Sequence, residues 1–223
     1  MWGVMNMADP SNIEASGVLS ETWRILHATS GVVVVYVLGL TAYGVVSDWK
    51  DPDGFNGGEG VVTTIAGYYL LTAMLRNSGL LREKSAKGIW SYIGLGILST
   101  LATILGFLLL IVPGVILLVR WLPAYGYLFC DNLPVTDALG KSWDRTRQNF
   151  SSLFVASVVP VFGFVAGFAA YVLSDGMSQE VYLSGIVVGN LALSASGAVW
   201  TALGVAAYSL LEPPTGHLSD VFE

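Results

Sequence analysis

The side chains that most often do chemistry are few in this chain and far apart in sequence. His27, His217 and Cys130 form neither a His-Glu-x-x-His nor a Cys-x-x-Cys pattern, so we expect no metal site and no cofactor. In the acidic segment from 51 to 59, Glu59 misses the spacing of a calcium loop. The glycines there lack the Lys-Ser/Thr ending of a phosphate-binding loop. Because no pair of carboxylates lies within an apolar stretch, the sequence favours a protein that is not an enzyme.

One charged residue, Arg120, lies within an otherwise apolar stretch and is the leading candidate for a site. A charge at the centre of a membrane helix costs about 2.5 to 3.5 kcal/mol, so such a residue normally faces protein or water. Pro123 has no N–H to donate to the carbonyl of Val119, which leaves an acceptor at the same level. Three interpretations stay open. Arg120 ties helices together, it binds a lipid headgroup or small anion together with Lys141 and Arg145, or it gates transport.

The elements that must position these residues are six apolar stretches. Apolar residues make up 54% of the chain, charged residues 12%, and the mean hydropathy is +0.65, outside the usual range of soluble proteins. A helix of about 20 residues spans the roughly 30 Å hydrocarbon core of a bilayer. The stretches are Gly31 to Ser47, Val61 to Leu75, Ile89 to Val112, Gly114 to Phe129, Phe150 to Leu173 and Val181 to Leu211. The sequence therefore predicts an all-α, polytopic transmembrane bundle of about six spanning helices, the fourth being the least regular.

The distribution of Lys and Arg predicts the orientation, because basic residues resist translocation. The connections from 76 to 88 and from 131 to 149 hold seven of the ten basic residues and should be cytoplasmic. The connections around 48 to 60, Pro113 and 174 to 180 should face outward. We expect a multi-pass protein of the cell membrane with both termini cytoplasmic. Residues 1–30 form an N-terminal segment, 31–211 the membrane domain and 212–223 an acidic tail.

Two segments have the pattern of amphipathic helices that lie on a membrane surface. The stripe from 134 to 149 and just beyond consists of Val135, Leu139, Trp143, Thr146 and Phe150, at helical spacing. A similar spacing precedes the first span, and the runs 18–23 and 138–143 align without gaps, which indicates a degenerate duplication. We expect Trp23 and Trp143 to anchor these segments at headgroup level. The alternative is a binding surface for a soluble partner.

The segment from 113 to 150 resembles a signature of prokaryotic six-helix membrane proteins. It combines a Pro-Gly pair at Pro113, an arginine-bearing helix with Arg120, an acidic residue at Asp131 and an Ala-Leu-x-x-Ser-Trp-x-x-Thr helix that starts at Ala138. The group that it resembles includes the membrane domain found beside glycerophosphoryl diester phosphodiesterases. The resemblance implies the fold and no activity, because the catalytic barrel of that group has no counterpart in these residues. Asp131 should pair with Arg120 only if the helix bends; otherwise a neighbouring element would have to bring a carboxylate near Arg120.

Small residues predict where helices approach each other closely. Gly163 and Gly167, and likewise Gly185 and Gly189, form Gly-x-x-x-Gly pairs. We therefore expect the last two spans to pack face to face. Asn190, in the same stripe, is expected to form an interhelical hydrogen bond rather than to hold a ligand.

Two classes of function remain in play. The first is a non-enzymatic membrane module that contacts lipids or binds a partner, either another protein or a second copy of the chain. The second is a small transporter or lipid-handling protein with an anion or headgroup site near Arg120, which a cavity beside that residue would favour. Membrane lipids are the expected partners in both. The formal charge of −6 and the isoelectric point near 4.8 argue against nucleic acid.

Overall fold

The computed structural model describes residues 13–50, 57–81 and 87–212, so His217, the acidic tail beyond Glu212 and most of the predicted acidic loop lie outside the described residues. Within them, all regular structure is α-helical, and the chain is an all-α bundle as the sequence predicts. The described helices are α1 (Ala15–Ala28), α2 (Ser30–Lys50), α3 (Gly57–Asn77), α4 (Ile89–Leu109), α5 (Ile111–Arg120), α6 (Ala124–Cys130), α7 (Val135–Arg145), α8 (Phe150–Ser174) and α9 (Gln179–Leu211).

Five helical segments are long and apolar enough to cross a membrane. They are Ser30–Lys50, Ile89–Leu109, Ile111–Cys130, Phe150–Ser174 and Gln179–Leu211. Large apolar side chains cover the outside of these helices, and Leu108, Phe162 and Val35 are 78%, 72% and 73% exposed. A contiguous apolar surface of this kind suits lipid tails rather than water. The chain is therefore a membrane protein by the length and composition of its helices.

Helix α3 covers the second predicted span but is not among these five segments. Its 21 residues include Glu59 near the start, Arg76 near the end, and several glycines and threonines, all of which lower its hydropathy. A sixth crossing by α3, like the orientation of the bundle, stays a prediction.

The turn between the third and fourth predicted spans lies earlier than the Pro-Gly pair indicates. Helix α4 ends at Leu109 and α5 begins at Ile111, with Leu110 extended between them at φ −163° and ψ 145°. Pro113 therefore lies in the first turn of α5, where proline is tolerated because the first N–H groups of a helix have no intrahelical acceptor. Gly114 allows the two helices to touch, since a Cβ there would lie 2.4 Å from the ring of Phe107.

The fourth predicted span, Gly114 to Phe129, consists of two helices rather than one. Helix α5 ends at Arg120 and α6 begins at Ala124. Residues 121–123 form the turn between them, which we call the elbow. Pro123 accounts for the break, because it has no N–H with which to continue the helix.

The buried core lies around α6. Tyr127, Leu128 and Phe129 of this short helix have at most 1% of their surface exposed. They pack in one cluster with Ile25 of α1 and Leu70 of α3. Close van der Waals packing of these large side chains, the main attraction between helices in a membrane, holds α6 in the centre of the bundle.

Helices α8 and α9 form the most extensive helix pair. The four predicted glycines lie between them. A Cβ at Gly163 would be 2.1 Å from the hydroxyl of Ser196, one at Gly167 would be 3.1 Å from the carbonyl of Gly189, and one at Gly185 would be 2.0 Å from the hydroxyl of Ser174. The absence of side chains at these positions is what lets the two backbones approach so closely.

Candidate functional site

Helix α7 caps the broken end of α5. The carbonyl oxygen of Arg120 accepts a hydrogen bond from the hydroxyl of Ser142 at 2.6 Å. The hydroxyl of Thr146 lies 3.3 Å from the same oxygen and 2.8 Å from the carbonyl of Ser142, and both side chains are buried. The carbonyl that the helix break leaves free to accept from α7 is therefore that of Arg120. The carbonyl of Val119, which the sequence indicated, accepts a hydrogen bond from the backbone N–H of Leu122, with 3.3 Å between N and O. The Ser-Trp-x-x-Thr sequence therefore satisfies a helix C-terminus through side chains.

This cap also shows which face of α7 is packed on protein. The buried residues are Ala138, Leu139, Ser142 and the following Thr146, while Trp143 stays 37% exposed. Leu139 and Thr146 belong to the predicted amphipathic stripe. Ser142 does not, although it is buried on the same face and bonds to Arg120. Helix α7 lies within the predicted range and ends at Arg145, four residues before its predicted end.

The side chain of Arg120 lies on α7. Its guanidinium carbon is 4.2 Å from the centroid of the Trp143 ring, and its Nη1 donates to the Trp143 carbonyl at 3.3 Å. A stacked arginine of this kind contributes about 0.5 to 2 kcal/mol, and its charge is favourable at the negative end of the α5 dipole. Its Nε is buried and has no hydrogen-bond partner among the described residues.

The other two basic residues of the predicted anion site face carboxylates. Lys141 Nζ donates to Asp131 at 2.5 Å, and Arg145 Nε lies 2.9 Å from Glu212. Asp131 also accepts a hydrogen bond from the hydroxyl of Tyr208 at 2.7 Å, so Lys141 and Tyr208 are its partners in place of Arg120. An anion contact by these three basic residues stays a prediction, with Arg120 the member that no carboxylate of the described chain neutralises.

The second interfacial residue, Trp23, is on α1. It is 64% exposed and packs edge-on against His27, with 4.5 Å between ring centroids. The opposite face of α1 is buried against α8 and α9. On the exposed side, Arg24 donates to Glu21 at 2.6 and 2.8 Å, and this hydrogen bond lowers the pKa of the Glu21 carboxyl below its ordinary value.

Asn190 of α9 links α9 to α2 and α8 near the C-terminal end of α2. Its Nδ2 donates to Asp48 of α2 at 2.9 Å, and the hydroxyl of Tyr171 of α8 makes short contacts with both side chains. Gly44 makes room for this contact, because a Cβ there would lie 1.9 Å from Asn190 Oδ1. The group satisfies its own polar atoms, which indicates a structural role.

Two adjoining cavities lie between α3, α4, α6 and α9, with volumes of about 420 and 920 Å³. The residues that line both are Tyr92, Gly96, Thr100, Tyr125, Trp200 and Thr201. Because they share these walls, we treat the two as one feature and call it the cleft. Helix α4 packs mainly on α5 and only lightly on α3 and α6, which leaves the space between them unfilled.

Glycines create room for tyrosine hydroxyls in the walls of the cleft. A Cβ at Gly67 would lie 2.6 Å from the hydroxyl of Tyr92, and one at Gly96 would lie 3.1 Å from that of Tyr125. Gly197 has the same relation to Tyr36 at 3.2 Å.

The hydroxyls of these three tyrosines, Tyr36, Tyr92 and Tyr125, make no hydrogen bond to the part of the chain that the structure describes. An unpaired polar group costs several kcal/mol in a membrane interior. We therefore expect water or the polar part of a ligand to occupy the cleft.

The elbow connects the cleft with the predicted signature. Trp121 and Leu122 line the smaller cavity, whereas Arg120 itself does not. No motif in the sequence marks the cleft residues, since the glycines, threonines and tyrosines among them come from separate helices. The available signal was the number of hydroxyl-bearing side chains on three apolar helices.

Comparison with protein-family models, with curated proteins and with solved structures finds no match to this chain.

Proposed function

We propose that this membrane protein is a non-enzymatic, lipid-handling protein that takes an amphipathic small molecule from the bilayer into the cleft. The observation that carries the proposal is the cleft itself, with its two volumes of about 420 and 920 Å³. Small-molecule sites are typically concavities of several hundred Å³, lined mainly by apolar and aromatic side chains with a few polar groups. The lining here has that mixture, for example Leu95 and Ile104 beside Thr100 and Thr201.

The exposure of the cleft wall supports access from lipid. Ile97 and Leu101 of α4 line the larger cavity and are 56% and 61% exposed. Part of the wall of the cleft therefore consists of exposed apolar side chains that lipid tails would solvate. A ligand dissolved in the bilayer reaches such a wall without passing through water, which favours lipid handling over binding of a soluble partner.

The proposal includes the location and the orientation that the sequence predicts, namely the cell membrane with both termini cytoplasmic. In that orientation α7 and the elbow lie at the cytoplasmic end and support one wall of the cleft. The resemblance to the membrane domain found beside glycerophosphoryl diester phosphodiesterases implies a six-helix membrane fold, which is compatible with this proposal. It implies no activity.

Filling the cleft tests the proposal. Thr100→Phe places an aromatic ring where both cavities meet, and Leu98→Phe, on the lipid-facing side of the same helix, is the matched control. After purification and detergent washing, native mass spectrometry should detect a bound lipid or other amphiphile on the wild-type protein and on Leu98→Phe. Its occupancy should fall about tenfold in Thr100→Phe. Equal occupancy in all three proteins, or none in the wild type, would overturn the proposal.

Arg120 separates a structural role from the predicted headgroup site. Arg120→Gln removes the stacking on Trp143 and should lower the free energy of unfolding in detergent by about 1 to 2 kcal/mol. Arg120→Lys keeps the charge and loses the planar stacking group, so it should be intermediate. We expect the acidic lipids that co-purify to be the same in all three proteins. Their selective loss from Arg120→Gln would favour an anionic headgroup at this residue.

A further inference from the structure

We propose that the ligand of the cleft is an amphiphile with a cationic, ammonium-type head. This inference rests on the proposed function, because it requires the cleft to be a ligand site. Glu59, in the wall of the larger cavity, is the one charged side chain among the described residues that line the two cavities. It forms no ion pair with the described part of the chain.

Aromatic side chains supply the rest of the recognition surface. The larger cavity is lined by Tyr36, Tyr92, Tyr125, Phe164 and Trp200. Tyr92 and Tyr125 lie against each other with their ring centroids 4.8 Å apart. Aromatic faces attract organic cations through their negative quadrupole, and walls of several rings are a common way to bind quaternary ammonium groups. One carboxylate together with these rings favours a cation over an anion or a neutral head.

The surroundings of Glu59 add to this preference. Asp48 is close enough to interact electrostatically with Glu59, and it is held in place by Tyr171 and Asn190. Arg120 does not line either cavity. A negative ligand would meet the carboxylate of Glu59, and none of the described residues that line the two cavities is basic. A positive ligand would neutralise this end of the cleft.

The smaller cavity suits the tail of the same ligand. Its walls include Leu95, Ile104, Phe107, Leu117 and Leu118, which are apolar. A head in the larger cavity, beside Glu59 and the rings, would place its hydrocarbon tail along this surface. The hydroxyls of Tyr92 and Tyr125, at the junction of the two cavities, would contact the polar linkage between head and tail. The two-part lining thus matches a two-part ligand.

The test compares two probes of opposite charge and equal chain length. Binding of decyltrimethylammonium and of decyl sulfate is measured by calorimetry on the protein in nanodiscs of neutral lipid, with the heat of protein-free nanodiscs subtracted. The wild-type protein should bind the cation at least about tenfold more tightly. Glu59→Gln should weaken binding of the cation about tenfold and leave the sulfate unchanged. Glu180→Gln, the same change on a residue that does not line the cleft, should alter neither.

The variants distinguish failure of this inference from failure of the proposed function. If Thr100→Phe abolishes binding of both probes but the wild-type protein shows no preference for the cation, the cleft is a ligand site and the cationic head is wrong. A preference for the cation that survives in Glu59→Gln also contradicts this inference. If Thr100→Phe changes the binding of neither probe, the ligand site is not in the cleft and both proposals fail.

Discussion

Gly204→Ala should lower the free energy of unfolding by about 1 to 3 kcal/mol, the usual effect of overpacking. A Cβ at this position of α9 would lie 2.7 Å from the carbonyl oxygen of Leu122. The obstacle is the backbone of the elbow, which cannot rotate aside as a side chain can. Because Gly204 and Leu122 both line the cleft, the shift of α9 should also weaken ligand binding. Thermal unfolding in detergent, followed by circular dichroism, measures the first effect.

The matched control is Gly39→Ala on α2. A Cβ there meets no atom within 4 Å, and alanine is favoured over glycine inside a helix by roughly 0.5 to 1 kcal/mol. This variant should be as stable as the wild type or slightly more stable. If the two alanine variants unfold at the same temperature, α9 does not pack on the elbow as closely as this structure places it.

The double substitution Ser142→Ala and Thr146→Val should also destabilise the protein, by about 1 to 3 kcal/mol. It removes both hydroxyls that reach the carbonyl of Arg120 while nearly keeping the volume of each side chain. The cost arises because a buried acceptor loses its partners, whereas the apolar contacts of α7 remain. We expect faster hydrogen exchange in residues 121–146, measured by mass spectrometry, as α7 separates from the elbow.

Ser20→Ala on α1 is the control for this change. Its hydroxyl is exposed and, among the described residues, bonds only to the carbonyl of Gly17, one turn earlier in the same helix. Its loss should therefore alter stability by less than about 0.5 kcal/mol. Unchanged exchange over residues 121–146 in the double variant would mean that the apolar residues of α7 hold the elbow without the cap. A changed ligand occupancy in the double variant would report how strongly the elbow supports the cleft.

Several features of this protein follow from neighbouring residues alone and were predictable from the sequence. Continuous apolar stretches indicate membrane helices because a run of about 20 apolar residues is enough to cross the hydrocarbon core. Pro123 marks the irregular span for a similarly local reason, the missing N–H. Pro113 was misleading, because a proline is equally at home in a turn and in the first turn of a helix. The turn lies at Leu110 instead of at the predicted position.

The tertiary structure decided which distant groups meet. The Arg120 carbonyl finds its donors 22 and 26 residues later in the chain, and Asp131 finds Tyr208 77 residues later. No local pattern encodes these pairs, because each depends on how the helices are packed side by side. The cleft exists for the same reason. The residues that line it come from helices far apart in sequence. The space between these helices stays open because α4 packs mainly on α5 and makes few contacts with α9.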